Sequence, residues 1–245
     1  MIIVGTQQTA ASNRTFFERE NGHQYWRSDY FESPDGAMCS PQAYLIEQPA
    51  TIANPTHFHI QNQFQLFTAG KGVIGRSPIK PLLIHYAGAY TGYGPITSGA
   101  ETLNYITFRA MRDPGAKFLP EAAHEFKKGP KRHITYSLSL MLPEQRENLT
   151  RTELGWIHPP EADGLAIGIV RQPPSTTYRI THTPGSIGCF MVVIQGGIRC
   201  GDCQISVLEH VFISSDTSEV EYSCGTESAE LLMLHFPPTD MAYKN

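Results

Sequence analysis

Short runs of apolar or alternating residues recur along the chain, and turn signals rich in glycine and proline separate them. This spacing is typical of all-β sandwiches and barrels, and it differs from the alternation of strands and long helices in βαβ units. Helical periodicity is scarce, although 120–128 predicts about two turns before Gly129 and Pro130 end them. The predicted strands are 43–48, 63–68, 82–85, 103–109, 165–170, 190–195, 210–213 and 230–236.

The composition changes in the middle of the chain, where charged residues and prolines cluster and the alternation weakens. This change predicts one β unit at 1–112, a second at 161–245, and a mostly irregular connector at 113–160 that carries the short helix. Within the connector, we interpret 134–142 as a crossing strand and the basic cluster 127–132 as a solvated loop.

The two β units show a weak internal repeat. Three positions of the first unit can be laid on three of the second with the same spacing, six residues and then seven, and the order of predicted strands agrees. The matched pairs are His57 with Thr183, Gln63 with Cys189, and Gly70 with Gly196.

Polar side chains alternate with apolar ones along the segment from His57 to Gln65. On a β-strand, His57, His59, Gln61, Gln63 and Gln65 would share one face. A hydrophobic strand carries so many polar groups on one face when that face lines a wet cavity. Two imidazoles two residues apart can also bind one metal ion from the same side. The segment therefore predicts the wall of a binding pocket.

The spacing His57-x-His59-x₃-Gln63-x₆-Gly70 resembles the first motif of the cupin superfamily, in which glutamate usually stands at the position of Gln63. The resemblance implies an all-β bicupin, with two tandem cupin barrels of the jelly-roll or double-stranded β-helix type. It also implies a divalent transition metal (iron, zinc, nickel, copper or manganese) held by two histidines, the acid and a third histidine. Cupins include dioxygenases, isomerases, epimerases, decarboxylases, lyases and non-enzymatic binders.

The second cupin motif is degenerate in this sequence. Tyr93 stands where the third histidine is expected, and His85 lies eight residues earlier, on the same face if the strand is regular. His85 is chemically the better ligand, because a phenol must lose a proton of pKa near 10 before it binds a metal. The expected metal ligands are His57, His59 and His85, with Gln63 ligating or holding a water. The alternative is a metal-free polar cavity.

The second unit departs further from the cupin pattern. Thr183, Gly185 and Cys189 replace the histidines and the acid, and Val220 falls near the position of the third histidine. No metal cluster can be built from these residues, so we predict a structural module that also serves dimerisation, and the protein is a possible homodimer. We interpret Cys189 as a small core residue rather than a nucleophile.

Several further residues of the first unit could face the cavity. Tyrosine offers a hydroxyl on an apolar body, and arginine can clamp a carboxylate through two hydrogen bonds. We therefore predict a catalytic set and a substrate-binding set, with a rim or surface position as the alternative for the residues of the second set. The catalytic set is His59, Tyr93 and Gln63, and the substrate-binding set is Gln61, Gln65, Arg76, Tyr90, Tyr105 and Arg109.

The composition excludes several classes of partner. A net charge of −4 with 17% charged residues argues against a nucleic-acid surface and against a polybasic membrane contact. No run reaches the roughly 18 apolar residues of a membrane span, and the N-terminus lacks the pattern of a signal peptide, so we expect a cytoplasmic protein. No Walker loop or Rossmann fingerprint is present, so we expect no nucleotide cofactor.

The five cysteines are an odd number without a secretory signal, so reduced thiols are expected. Cys200 and Cys203 resemble half of a zinc knuckle, but no second pair accompanies them. We therefore predict a hairpin tip at this position.

Three functions are compatible with these residues. The first is a cupin enzyme that acts on a small organic substrate through a histidine-bound divalent metal, with dioxygenase-, lyase- or isomerase-type chemistry. The second is a metal-free isomerase, lyase or cyclase in which histidine and tyrosine act as acid and base. The third is a non-catalytic bicupin that binds a small molecule. No feature of the sequence identifies the substrate or decides between His85 and Tyr93.

Overall fold

The structure, a computed structural model, describes residues 1–20, 22–31, 40–217 and 220–243. Strands hold 48% of the chain and helices 8%, which confirms the predicted all-β fold. No helix of the described residues is long and apolar enough to cross a membrane. Cys39 lies outside the described residues. The other four cysteines, which are free thiols, are Cys189, Cys200, Cys203 and Cys224.

Every run that the sequence pattern predicted as a strand is a strand in the structure. In chain order the strands are β1 (Ile2–Gly5), β2 (Arg14–Glu18), β3 (Gln24–Asp29), β4 (Gln42–Gln48), β5 (Ala53–Asn54), β6 (His57–Phe58), β7 (Gln63–Ala69), β8 (Gly72–Ile74), β9 (Ser77–Ile79), β10 (Leu83–Ala87), β11 (Ile96–Ser98), β12 (Leu103–Arg109), β13 (Lys117–Phe118), β14 (His133–Ser137), β15 (Glu153–His158), β16 (Ala166–Gln172), β17 (Thr177–Ile180), β18 (Gly188–Gln195), β19 (Ile198–Cys200), β20 (Cys203–Ile205), β21 (His210–Ser214), β22 (Val220–Cys224) and β23 (Ala229–Phe236).

The helical segments are short. They are α1 (Gln7–Ser12), a 3₁₀ turn at Glu121–Glu125, α2 (Pro143–Glu147) and a 3₁₀ turn at Met241–Tyr243. The two helical turns predicted at 120–128 are thus a single 3₁₀ segment. The hairpin predicted at Cys200 and Cys203 is confirmed, because β19 and β20 pair with these two residues opposite each other.

The chain divides into two compact units. The first unit comprises residues 8–138 together with the C-terminal residues from 239. Its strands form an antiparallel sheet ordered β14-β10-β7-β12-β4-β3-β2, a smaller sheet ordered β5-β11-β8-β9, and the pair β13-β6. Inward side chains of the two larger sheets, such as Ile46, Phe67, Ile79 and Ile96, share one hydrophobic cluster.

The second unit comprises residues 1–7 together with 139–238. It repeats the same plan, with an antiparallel sheet ordered β1-β21-β18-β23-β16-β15 and a smaller sheet ordered β17-β22-β19-β20. Its strands are rich in β-branched and aromatic residues, which suit a pleated, buried surface. Its hydrophobic cluster includes Val170, Met191, Val211, Leu231 and Met233, all of which are buried.

The units differ from the predicted boundaries, because backbone pairing moves three segments across them. β1 pairs with β21, so the N-terminus joins the second unit. β13 pairs with β6 and β14 with β10, so the predicted connector up to residue 138 belongs to the first unit, and β14 lies beside β10 as an edge strand instead of crossing between units. An edge strand's own pattern does not encode its partner, which is why the sequence left these segments unassigned.

The internal repeat is confirmed at the level of the backbone. Gly70 and Gly196 both have a positive φ, 77° and 73°. A Cβ atom at Gly70 would lie 2.2 Å from the carbonyl oxygen of Thr102, and one at Gly196 would lie 2.3 Å from that of Ser228. Both positions therefore require glycine for the same two reasons, a left-handed conformation and a close backbone approach.

Two non-glycine residues repeat in the same way. Thr51 and Ser175 have positive φ values of 62° and 56°, and Leu82 and Leu208 have values of 63° and 67°. The backbone N–H of Leu82 donates to the carbonyl oxygen of Phe67, as that of Leu208 does to Val193. Such conformations are uncommon for residues with a Cβ atom, so their recurrence marks a duplicated chain path.

Candidate functional site

A cavity of about 70 Å³ lies inside the first unit. Its wall brings together several predicted site residues from three parts of the chain. Six of them that line the cavity are His57, His59, Gln65, Tyr93, Tyr105 and Arg109.

The segment that carries the two histidines is not one continuous strand. β6 ends at Phe58 and β7 begins only at Gln63. Between them the backbone N–H groups of Ile60 and Gln61 donate to the carboxylate of Asp113, at 2.9 and 3.2 Å, instead of to a neighbouring strand. This break redirects the Gln61 side chain, whose Oε1 accepts a hydrogen bond from the Thr239 hydroxyl at 3.3 Å.

His57 and Tyr93 form a hydrogen-bonded pair at the cavity. Their backbones are bridged, and His57 Nε2 lies 2.9 Å from the Tyr93 hydroxyl. His57 Nδ1 lies 2.6 Å from the carbonyl oxygen of Pro55. A carbonyl oxygen can only accept, so Nδ1 carries the proton and Nε2 accepts from the tyrosine.

Gln63 links this pair to Arg109. Its Nε2 donates to the Tyr93 oxygen, and its Oε1 accepts from Arg109 Nη2 at 2.6 Å. These two partners fix the orientation of the amide, because the guanidinium can only donate. The side chain is completely buried. Gln63 therefore acts as an acceptor and a donor at the same time.

His59 links Arg109 to Asp113. His59 Nδ1 lies 2.7 Å from Asp113 Oδ1, and Arg109 Nη2 lies 3.2 Å from His59 Nε2. The carboxylate accepts from Nδ1–H, and Arg109 Nη2 lies 3.1 Å from Nδ1 and 3.2 Å from Nε2, so the guanidinium contacts the ring between its two nitrogens. Gly115 N–H also donates to Asp113 at 2.8 Å, which holds the carboxylate in place.

Arg109 is the centre of the network. It lies at the end of β12 and is only 2% exposed. Its Nη1 donates to the Tyr44 hydroxyl at 2.7 Å and to Gln42 Oε1 at 3.3 Å. Among the described residues its Nε has no hydrogen-bond partner. The guanidinium is thus a permanent charge held by neutral acceptors, and His59 connects it to the carboxylate of Asp113.

His85 lies beside the pair but is bound elsewhere. Its Nδ1 is 3.1 Å from Gln65 Oε1, and its ring centre is 5.1 Å from that of Tyr93. Burial and the neighbouring His133 lower the pKa of His85 to about 3. The two candidates for the third motif position, His85 and Tyr93, are therefore neighbours, and only Tyr93 contacts the first motif by hydrogen bonds.

The charges of the site follow from its burial. Burial and the nearby His59 lower the pKa of His57 to about 3. Burial also raises the pKa of Tyr93 far above its usual value. Burial opposes the ionisation of Asp113, but Arg109 and His59 outweigh it and hold the pKa of that carboxyl well below its usual range. At neutral pH the site therefore has neutral His57 and Tyr93, a cationic Arg109 and an anionic Asp113.

Three of the predicted substrate-binding residues lie at the cavity, and three do not. Gln65, Tyr105 and Arg109 line it. Gln61 is turned toward Thr239. The two others, Arg76 and Tyr90, lie outside it: Arg76 is exposed in the turn between β8 and β9, and Tyr90 packs against Phe58 and Tyr243.

The most important residue that sequence reasoning missed is Asp113. It stands in an Arg-Asp-Pro-Gly turn directly after β12, where aspartate is an ordinary turn residue. Nothing in that turn indicates an imidazole 54 positions earlier in the chain. Other missed lining residues lie on or next to β3 and β4, of which only β4 was a predicted strand. Examples are His23, Tyr25, Arg27 and Tyr44.

The donor set does not fit the metal that the motif implies. The Nε2 lone pair of His57 accepts from Tyr93, and Gln63 Oε1 accepts from Arg109 Nη2. The same guanidinium nitrogen lies within 3.2 Å of both ring nitrogens of His59. A second cation would be repelled by that guanidinium. Within residues 1–20, 22–31, 40–217 and 220–243, no group of three or more His, Cys, Asp or Glu side chains is arranged to hold a metal ion.

The corresponding positions of the second unit are apolar or hydrogen-bonded to the backbone. Cys189 is fully buried in the hydrophobic cluster, and burial raises the pKa of its thiol. The Thr183 hydroxyl donates to the carbonyl oxygen of Gly164 at 2.7 Å. Val220 is buried in the same cluster as Cys189. These contacts agree with a structural role for this interior.

Comparison with known proteins gives a fold. No protein-family model matches the sequence, and no curated protein matches it. A proposed dioxygenase from Nostoc punctiforme is 11% identical, with a TM-score of 0.63 over 99% of this chain and 82% of its own. A bacterial pirin from Escherichia coli in complex with nickel(II) is 10% identical, with a TM-score of 0.58 over 97% and 100%. An oxalate decarboxylase formate complex from Lactobacillus farciminis is 10% identical, with a TM-score of 0.60 over 97% and 86%.

These neighbours are two-barrel cupin proteins, and they cover nearly the whole chain. The expected bicupin fold is therefore confirmed, with one barrel in each compact unit. Sequence identity of 10–11% shows the fold alone, so the chemistry has to be argued from the site.

Proposed function

We propose that the first barrel of this bicupin fold is the active site of a metal-free enzyme that moves a proton on a small organic substrate, as isomerases, lyases and cyclases do. The observation that carries the proposal is the pair of His57 and Tyr93, whose Nε2 and hydroxyl lie 2.9 Å apart at the wall of the cavity. At neutral pH the neutral imidazole can accept a proton on Nε2, and the neutral phenol can donate a hydrogen bond.

In the proposed reaction, an oxygen atom of the substrate replaces His57 as the acceptor of the Tyr93 O–H. This exchange frees His57 Nε2 to remove a proton from the carbon next to the substrate carbonyl. The electron pair of the broken C–H bond forms a C=C bond, and the π pair of the carbonyl moves onto its oxygen, where the phenol stabilises the negative charge by a hydrogen bond. Return of the proton to a neighbouring atom completes an isomerisation, and departure of a leaving group completes an elimination.

Arg109 acts on Tyr93, the proposed acid, through the side chain of Gln63. Its Nη2 donates to Gln63 Oε1, and Gln63 Nε2 donates to the Tyr93 oxygen. Each bond in such a chain polarises the next, so the positive charge strengthens Tyr93 as a donor without touching the substrate. Gln63 and Arg109 are therefore positioning residues in this proposal.

The pH dependence of the reaction follows from the state of His57. Burial, with His59, lowers its pKa to about 3, so the imidazole is unprotonated through the weakly acidic and neutral range. We expect kcat/KM to change little between about pH 5 and pH 8, because neither His57 nor Tyr93 titrates there. A rate that falls with a pKa near 6.5 would contradict this assignment of the base.

Three other expectations stay proposals or are set aside. We do not propose metal-dependent dioxygenase chemistry, because the His57 Nε2 lone pair accepts from Tyr93 and the Arg109 guanidinium lies beside the His59 ring. A small-molecule substrate is part of the proposal, and the cavity of about 70 Å³ would receive it. A homodimer stays a prediction.

Hydrogen exchange tests the proposal without knowledge of the product. Short-chain 2-oxo acids, hydroxyketones and hydroxyaldehydes are incubated in D₂O with the protein and a chelator, and deuterium incorporation next to the carbonyl is followed by NMR. We expect exchange by the unaltered protein and a loss of about 10²-fold or more in Tyr93→Phe and His57→Gln. Tyr222→Phe, a buried tyrosine of the second unit, is the matched control and should exchange normally.

The same experiment separates the alternatives. Exchange that requires added metal would overturn the metal-free assignment. A compound that raises the melting temperature but is recovered without deuterium would favour a binding protein over an enzyme.

A further inference from the structure

Three departures from the cupin motif occur together in the first barrel. Glutamine replaces the usual glutamate at Gln63, tyrosine stands at the third histidine position, and a buried arginine lies among the motif side chains. A buried charge costs several kcal/mol of folding free energy unless its surroundings compensate it. The presence of Arg109 therefore requires compensating neighbours. Gln63 connects the other two, because its side chain is hydrogen-bonded to both Arg109 and Tyr93.

Glutamine is the residue type that the network demands at position 63. The side chain accepts from Arg109 Nη2 at 2.6 Å and donates to the Tyr93 oxygen. A carboxylate could accept from the guanidinium, but it has no proton for the phenol oxygen. An amide supplies both, so glutamine fits beside an arginine where glutamate fits beside a metal.

Tyrosine has the matching requirement. Its hydroxyl must donate to His57 Nε2, because Nδ1 already carries the imidazole proton, and it must accept from Gln63 Nε2. A hydroxyl group does both, whereas a neutral imidazole at this position would need two separate nitrogen atoms for the two bonds.

The motif position carries glutamine, but Asp113 supplies a carboxylate next to His59. Asp113 Oδ1 lies 2.7 Å from His59 Nδ1, and Arg109 Nη2 lies 3.2 Å from His59 Nε2. The imidazole thus lies between one negative and one positive group. A metal-binding cupin motif also combines an acid with a cation around histidines, and in this barrel Asp113 is the acid and Arg109 is the cation.

We propose that the Arg109 guanidinium takes the place of the metal ion in this barrel, and that Gln63, Tyr93 and Asp113 are the coupled changes that accommodate it. The metal site is latent: removal of the guanidinium together with Gln63→Glu restores a metal-binding centre on His57 and His59. This inference concerns the cation of the site and is independent of the proposed reaction.

Nickel(II) binding to purified, chelator-treated protein tests the inference. Calorimetry measures affinity, and elemental analysis after desalting measures stoichiometry. We expect the unaltered protein to retain no nickel, and the double variant Gln63→Glu/Arg109→Ala to retain about one ion per chain with affinity at least about 100-fold higher. Gln63→Glu alone keeps the guanidinium and is the matched control, for which we expect no gain.

A third substitution locates the new site. His59→Gln added to the double variant should abolish the nickel binding, because it removes one of the two motif imidazoles. Nickel that persists in this triple variant, or a folded double variant that gains no binding, would overturn the inference. One tightly held nickel per chain in the unaltered protein would overturn it as well.

A second measurement covers the case in which the double variant does not fold. Arg109→Ala leaves a hole the size of a guanidinium beside acceptors that have lost their donor. We expect millimolar guanidinium chloride to raise the melting temperature of Arg109→Ala relative to the same concentration of sodium chloride, and to have no such effect on the unaltered protein. Equal melting temperatures in the two salts would contradict a cation site at this position.

Discussion

The two barrels of this protein share a backbone and differ in what fills them. Positive-φ residues recur in both, at a separation of 126 residues for Gly70 and Gly196 and for Leu82 and Leu208. The inward positions at the same separation change from polar to apolar. The pairs, first barrel and then second, are Gln63 and Cys189, Gln65 and Met191, His85 and Val211, Tyr105 and Leu231, Thr107 and Met233.

This difference shows that two sets of residues act separately. Those of the turns specify the shared backbone, called the frame below, and those of the interior specify the chemistry. The turns need particular backbone conformations and therefore keep their residues in both barrels. The apolar interior is stabilised by the hydrophobic effect and tolerates many combinations of side chains. The polar interior is stable only when every buried group has a partner, so its residues depend on one another.

The largest effect is expected from Arg109→Ala. The change leaves the carboxylate of Asp113 without its buried counter-charge and leaves Gln63 Oε1 without its donor. We expect the free energy of unfolding of the first barrel to fall by about 3–5 kcal/mol, measured by urea denaturation. Arg179→Ala, at an exposed ion pair with Glu221 in the second barrel, is the control and should cost less than about 1 kcal/mol.

A combination with Asp113 tests whether the cost of Arg109→Ala arises from the interaction between the two charges. In a double-mutant cycle, Arg109→Ala combined with Asp113→Ala should cost clearly less than the sum of the single changes, because the two removed charges compensate each other. Additive costs would show that the two charges do not interact through His59.

Alanine at the two equivalent glycines tests the shared frame. Gly70→Ala and Gly196→Ala each force a Cβ atom within 2.3 Å of a carbonyl oxygen at positive φ. We expect each to lower the free energy of unfolding by about 2–3 kcal/mol, by similar amounts. Gly201→Ala also has a positive φ, but nothing lies within 4 Å of its Cβ, so its cost should be smaller. Tolerance of alanine at only one of the two sites would break the equivalence of the barrels.

An exchange of inward residues tests the difference in filling. Met191→Gln places an amide among apolar side chains of the second barrel, and Gln65→Met removes the acceptor of His85 Nδ1–H in the first. The two side chains are similar in length, so the loss of about 1–2 kcal/mol expected for each change comes from an unpaired polar group. Calorimetric melting of each variant measures it. A stabilised Gln65→Met would show that the polar network is not needed for folding.

Much of the frame could be predicted from the sequence, because periodicity reports locally on burial. The predicted runs match strands such as β7, β12, β18 and β23, and the motif spacing identified the barrel type. The edge strands β1 and β14 could not be assigned, since their partners lie far away in the chain and leave no local pattern.

The site was only partly predictable for a related reason. Strand alternation placed His57, His59, Gln63 and Gln65 together, and Arg109 was one of the further residues expected to face the cavity. Gln61 was misplaced, because the carboxylate of Asp113 captures the backbone N–H groups at Ile60 and Gln61 and interrupts the strand. A long-range hydrogen bond of this kind carries no signal in the spacing of either segment.

The smallest effect concerns pH and the second barrel. Burial lowers the pKa of His210 to about 3 in the folded protein, from about 6.5 when exposed. The unfolded chain binds the proton first, so stability is complete above about pH 6.5 and falls on acidification toward pH 3. We expect His210→Phe to remove about 1 kcal/mol of the stability difference between about pH 7 and pH 5.5, measured by urea denaturation. An unchanged slope would show that His210 is solvated in the folded state.

The histidine rings of the first barrel provide the most direct test of the central claim, that its motif lone pairs serve internal hydrogen bonds and not a metal. The measurement is a long-range ¹H–¹⁵N NMR spectrum of the imidazoles, assigned by single substitutions, before and after addition of equimolar nickel(II). We predict that His57 and His59 show neutral rings protonated on Nδ1, and that their signals stay sharp with nickel present. Broadening of both signals beyond detection would contradict the account and identify a metal site.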